Sequence, residues 1–139
     1  MTQSHAQIKL TPKPINLEDV ISFVSKKDFF TCSFASSFGD KKLEFKPKND
    51  HEAQATMAKM ELDDIISSSF EQFDIHRMAI HYRLGQGSPT DTLVALAISS
   101  SSKAELELAC QSITARLKGE LETWNNEEFK DGNFHIKSN

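Results

Sequence analysis

Between Ile75 and Leu84 the chain alternates residue by residue. Ile75, Arg77, Ala79, His81 and Arg83 face one way, and His76, Met78, Ile80, Tyr82 and Leu84 the other. A period of two predicts a strand, ended by Gly85 and followed by a polar loop. From Thr92 to Ser99 nearly every residue is apolar, which predicts a central strand covered on both faces. Helical spacing appears three times. Leu17, Val20, Ile21 and Val24 recur behind Asn16, a residue suited to cap a helix. Ala53, Met57, Met60, Ile65, Ile66 and Phe70 form one apolar stripe over 52–73, with the methionines as core packing. Leu106, Ala109, Cys110, Ile113 and Leu117 form another, entered through Ser102 and Glu105 in capping-box spacing.

The remaining segments complete the order. Residues 1–7 are polar and without period, as in a frayed end. Ile8 to Leu10 suit a short edge strand that stops at Pro12 and Pro14. Phe29 to Phe38 and Leu43 to Phe45 read as two strands of a hairpin broken at Gly39 and Asp40, and 132–138 as a returning strand. The order β, α, β, β, α, β, β, α, β predicts one α+β domain over 1–139, with helices packed on a mostly antiparallel sheet.

Composition narrows the function. With 16 basic and 20 acidic residues the formal net charge is -4, which argues against a general nucleic-acid binder. No apolar run approaches the roughly 20 residues of a membrane helix, and no leader pattern opens the chain, so a cytoplasmic location is expected. Cys32 and Cys110 lie far apart and outside any CxxC spacing. They read as small buried hydrophobes, with neither a disulfide nor a zinc site indicated. The five histidines have no paired-ligand spacing, so no metal is expected.

Two features carry candidate chemistry. The turn from Ser99 to Lys103 enters a helix, where free backbone amides can hold an anion, and Arg83 and Lys103 would add charge if the fold brought them there. Lys118 stands at the border of an apolar face. Such a lysine usually lays its stem along the core and its ammonium in water, and the same place suits a group that contacts substrate.

The segments "MAIHYRLG", "TLVALAISSSSKAELELACQSITARLK" and a tryptophan followed by "EEFKDG" together resemble the large, catalytic subunit of molybdopterin synthase. Order and spacing match from about Ala79 to Gly132, and the amino-terminal half agrees more loosely. The resemblance implies an α/β hammerhead-like fold and a homodimer or heterotetramer with a small ubiquitin-like subunit ending in Gly-Gly. Sulfur from the thiocarboxylate of that tail would pass to cyclic pyranopterin monophosphate, with no bound cofactor. Lysine and arginine would offset the repulsion between two anions held close together.

Residue by residue, the resemblance assigns Lys118 as the catalytic lysine. Arg83, Lys103, Ser102 and Trp124 fall at substrate-binding positions, Ser102 and Lys103 standing where the family has His-Arg. The chain departs from the pattern at Asn125 and Asn126, which replace two lysines after the tryptophan, and around Gly39, where an arginine is missing. Lys41, Lys42 and Lys130 are the cations that would compensate. These departures leave an alternative of a different class: a subunit that keeps its partner surfaces and has lost catalysis.

Overall fold

The computed structural model describes residues 5–37, 48–84, 88, 90–125 and 135–138. Its elements are β1 (Ala6–Thr11), α1 (Leu17–Val24), β2 (Phe30–Ser37), α2 (Lys48–Gln72), β3 (Arg77–Arg83), β4 (Thr92–Ser100), α3 (Lys103–Asn125) and β5 (His135–Ser138). The strands form one sheet in the order β1-β3-β4-β2-β5. β1 runs parallel to β3, and the other three pairings are antiparallel. The mostly antiparallel α+β arrangement expected from the pattern is present. The expected strand Leu43 to Phe45 lies outside the described residues.

β4 is the central strand. Its apolar run is covered on both sides, with Leu93 to Ser100 all buried. Val94, Leu96 and Ile98 join Met78, Ile80 and Tyr82 of β3 and Cys32 and Phe34 of β2 in a core that also takes in residues of α2 and α3. On the other face Ala79, Ala95 and Ala97 meet Val20 and Val24 of α1. Small side chains on that face let a short helix lie close against the strands.

Local signals account for the ends of the helices. The Asn16 side chain accepts from the Glu18 amide at 3.0 Å, capping α1 as expected. Asp28 turns the chain toward β2 with φ at 70°, a left-handed conformation that aspartate tolerates. At α3 the Ser102 hydroxyl oxygen accepts from the Glu105 amide at 3.2 Å. The reciprocal half of the expected capping box is replaced by a tertiary contact: the Glu105 carboxylate accepts from the Asp74 amide at 3.1 Å, tying α3 to the approach of β3. Ser102→Ala is expected to lower stability by about 1 kcal/mol, with Ser102→Asp close to the parent. Urea unfolding midpoints measure both.

Three further expectations are corrected. The first strand begins at Ala6, because pairing with β3 continues from Ala6 opposite Met78 to Thr11 opposite Arg83; the edge strand is therefore longer than Ile8 to Leu10. Met57 and Met60 are exposed, at 45 % and 68 %. The buried stripe of α2 runs instead through Ala58, Leu62, Ile65 and Ile66. At 3.6 residues per turn Met60 lies about 200° round the helix from both Ala58 and Leu62, so one stripe cannot hold all three.

The third correction concerns the cysteines. Both are fully buried, as expected, but they are joined as a disulfide across 78 residues, with Cα atoms 6.7 Å apart. Alternation on β2 turns Cys32 inward with Phe34, and the apolar stripe of α3 turns Cys110 down onto them. Spacing along the chain could not reveal that meeting.

Candidate functional site

Lys118 comes from the second half of α3, directly after the buried Leu117. It is half-buried, and its ammonium lies 5.7 Å from the centre of the Phe34 ring. Phe34 is 2 % exposed, so the lysine rests on a ring fixed in the core. At this distance the ring face attracts the cation. Phe34 was not singled out by the sequence; its alternation with Cys32 on the inner face of β2 was the available signal.

Glu120, two residues on, turns the other way. Its carboxyl is pushed above the usual range by burial first and by Glu61 and Asp64 of α2 besides, against a lowering contribution from Arg116. Arg116 pairs with Asp64 and donates to the Ser68 hydroxyl at 2.9 Å. This acid therefore belongs to the seam between α2 and α3, on a different side of the helix from the Lys118–Phe34 contact.

Arg83 occupies another place. It ends β3 and donates to Asp91 at 2.9 Å, with its side chain 12 % exposed. The Asp91 carboxyl is held below the usual range by the Ser88 amide first, by the Ser88 hydroxyl and by Arg83. The pair ties the end of β3 to the start of β4. By alternation Arg83 falls on the α1 face with Ala79 and His81, whereas Phe34 faces α3.

The structure separates the residues expected at the Ser99 to Lys103 turn. Arg83 follows Tyr82, which pairs with Val94, and Lys103 follows Ser100, which pairs with Phe30. At 3.4 Å per residue Val94 and Ser100 are about 20 Å apart along β4, so Arg83 cannot add its charge to that turn. The turn also spends its groups internally. The Ser100 hydroxyl donates to the Asp74 carbonyl at 2.6 Å and accepts from the Ser102 amide at 3.0 Å, and Ser102 caps α3. Lys103 is exposed. The turn is a helix start built from serines, and Arg83 is not part of it. The side chains of Trp124 and Asn125, and Asn126 and Gly39 altogether, lie outside the described residues, as do Lys41, Lys42 and Lys130.

Among the described residues no group of three or more His, Cys, Asp or Glu side chains is placed to hold a metal ion. No helix among them is long and apolar enough to cross a membrane. The sequence matches the family described as MoaE protein over residues 10–120. The chain belongs to the MoaE protein family. The matched span runs from Leu10 in β1 through Glu120 in α3, and so includes Phe34, Arg83, Ser102, Lys103 and Lys118. Its relatives include the "Molybdopterin synthase catalytic subunit" of Arabidopsis thaliana, 32 % identical over 59 % of this chain and 41 % of that one. The match therefore spans well under two thirds of that relative. The protein of the same description from Pyrococcus abyssi is 25 % identical over 99 % of this chain and 94 % of its own. Among solved structures, "Molybdopterin cofactor biosynthesis protein E from Burkholderia multivorans ATCC 17616" shares the fold, with a TM-score of 0.58 at 17 % identity, covering 96 % of this chain and 83 % of that one.

Two histidines of the MoaE fold make stability depend on pH. His81 is 4 % exposed on β3, where its Nε2 donates to Gln7 Oε1 at 2.7 Å. Burial, then Lys9, lowers its pKa, against Asp19. His76 is lowered in the same direction by burial, Lys26, Arg77 and His5. A histidine that is harder to protonate when folded gives up stability as the unfolded chain takes up protons. The contribution is complete above the ordinary histidine value near 6.5 and is lost as pH falls below it. Unfolding free energy measured from pH 7.5 to 5 should fall, and the fall should be smaller in His81→Gln.

Proposed function

We propose that this chain acts in molybdenum cofactor biosynthesis as the large subunit of a molybdopterin synthase. In this reading sulfur passes from the thiocarboxylated tail of a small subunit to cyclic pyranopterin monophosphate. The observation that carries it is Lys118: a half-buried lysine held over the Phe34 ring, inside the family-matched span and at the position where the resemblance calls for a catalytic lysine. The names of the relatives favour biosynthesis over the lapsed-subunit alternative.

The chemistry follows from charge. Substrate phosphate and thiocarboxylate are both anionic, and their approach needs a fixed cation in a place partly shielded from water. Lys118 meets that need, since it is half-buried and its ammonium lies over the Phe34 ring. Glu120 is engaged with α2 and does not share that place.

Family members work with a small subunit. In this proposal the partner is ubiquitin-like and presents an extended Gly-Gly tail, and the assembly is cytoplasmic and contains two copies of this chain. Lys103 and Lys118 lie 15 residues apart on one helix, or about 22 Å at 1.5 Å per residue. In this reading one substrate meets Lys118 of one copy and Lys103 of the other. No bound cofactor is required in this reading, because the pterin is the substrate.

The test is a single-turnover assay with the purified chain, a thiocarboxylated small subunit and cyclic pyranopterin monophosphate. Dithiolene product formed in step with the chain supports the enzyme. A well-folded chain that gives no product sinks it.

A further inference from the structure

We infer that the Cys32–Cys110 pair is a redox-responsive tie that sets where Lys118 sits. Two residues of β2, Cys32 and Phe34, share its inner face, and each engages α3. Cys32 is bonded to Cys110, and Phe34 carries the ammonium of Lys118. On the helix those two points are eight residues apart, about 12 Å, and on the strand they are two residues or about 7 Å apart. The covalent bond is thus the neighbouring fastening to the lysine contact.

The other fastenings of α3 are of a different kind. Leu106, Ala109, Ile113 and Leu117 pack against the sheet through apolar surface, which resists separation more than it resists sliding. A bond between two named atoms fixes register. Losing it leaves α3 on the sheet but frees the helix to shift along β2, and the Lys118–Phe34 contact shifts with it.

The exchange is ordinary thiol chemistry. A glutathione thiolate attacks one sulfur of the pair and displaces the other, giving a mixed disulfide. A second glutathione thiolate then releases the first cysteine. The pair gains two electrons and two protons, and the two glutathiones leave joined as glutathione disulfide. A small-molecule disulfide reverses the reaction. Both cysteines are fully buried, so attack must wait for α3 to lift. In a reducing compartment a cysteine pair of this kind is responsive rather than permanent.

The proposed sulfur transfer gives the tie its consequence, but the tie itself is tested without it. The full chain is equilibrated in glutathione buffers of graded ratio, and its thiols are counted by intact mass after quenching with a maleimide in denaturant. In parallel, acylation of Lys118 by an N-hydroxysuccinimide ester is followed on its peptide, with the exposed Lys59 as an internal control. Reduction is expected to raise the Lys118 rate by about fivefold, the size of an ordinary pairwise coupling, and to leave Lys59 unchanged. Cys110→Ser should hold Lys118 at the reduced rate in every buffer. Two free thiols in the most oxidising buffer would overturn the inference, as would a Lys118 rate equal in both states. Loss of the far-ultraviolet circular dichroism on reduction would also overturn it, since the bond would then hold the whole fold. A chain that forms no dithiolene yet shows the redox-dependent rate would remove the proposed activity and leave the tie standing.

Discussion

Lys118→Ala is expected to slow single-turnover dithiolene formation by about a hundredfold, the equivalent of about 2 to 3 kcal/mol for one charge-assisted contact. The same variant should fold. Alanine suits a helix interior, and the buried Leu117 beside it is untouched, so the melting temperature should stay within a few degrees of the parent. Lys118→Arg separates charge from shape. It keeps the cation but spreads it over a planar fork, and only a partial rate should return if the lysine acts as a compact point charge. A Lys118→Ala chain as fast as the parent would mean that another cation does the work.

For stability the largest loss is expected from Leu96→Ala. Leu96 is fully buried at the centre of β4, paired with Ile80 on one side and Phe34 on the other. Neighbours on both strands and the helices above prevent the gap from closing, so the cost should be about 3 kcal/mol, composed of lost transfer energy and a residual cavity. For a chain of this size that lowers the melting temperature by about 10 °C. Calorimetry reads it directly, and a loss under about 1 kcal/mol would mean that the core repacks around position 96.

Much of the fold was legible because single elements carried their own signals. The alternation of β3, the two-sided apolar run of β4, the Asn16 cap and the inward stripe of α3 each rest on a few adjacent residues. What was not legible depends on contacts between elements. Met57 and Met60 have the spacing of a stripe with some of their neighbours, but the side of α2 that is buried is decided by β1 and α3. The Glu105 half of the capping box lost to a tertiary partner, the Asp74 amide. Cys32 and Cys110 each declared burial but not each other.

The candidate site divides in the same way. Lys118 could be placed from its helix position, and the structure adds the ring beneath it. Arg83 and Lys103 carried the right charge in the right order, yet the direction of β4 sends them to opposite ends of the sheet. Only the topology holds that information.

The order of strands also determines when the sheet can be finished. β2 lies between β4 and β5, and its partner residues in β5 come about a hundred positions later in the chain. At ribosomal speeds of about 5 to 20 residues per second, that edge of β2 waits about 5 to 20 seconds for its last neighbour. During that interval a nascent chain presents the unpaired backbone of Phe30 to Ser33 to whatever is nearby. Yield in the cell should then depend on the pace of synthesis as well as on the stability of the finished protein.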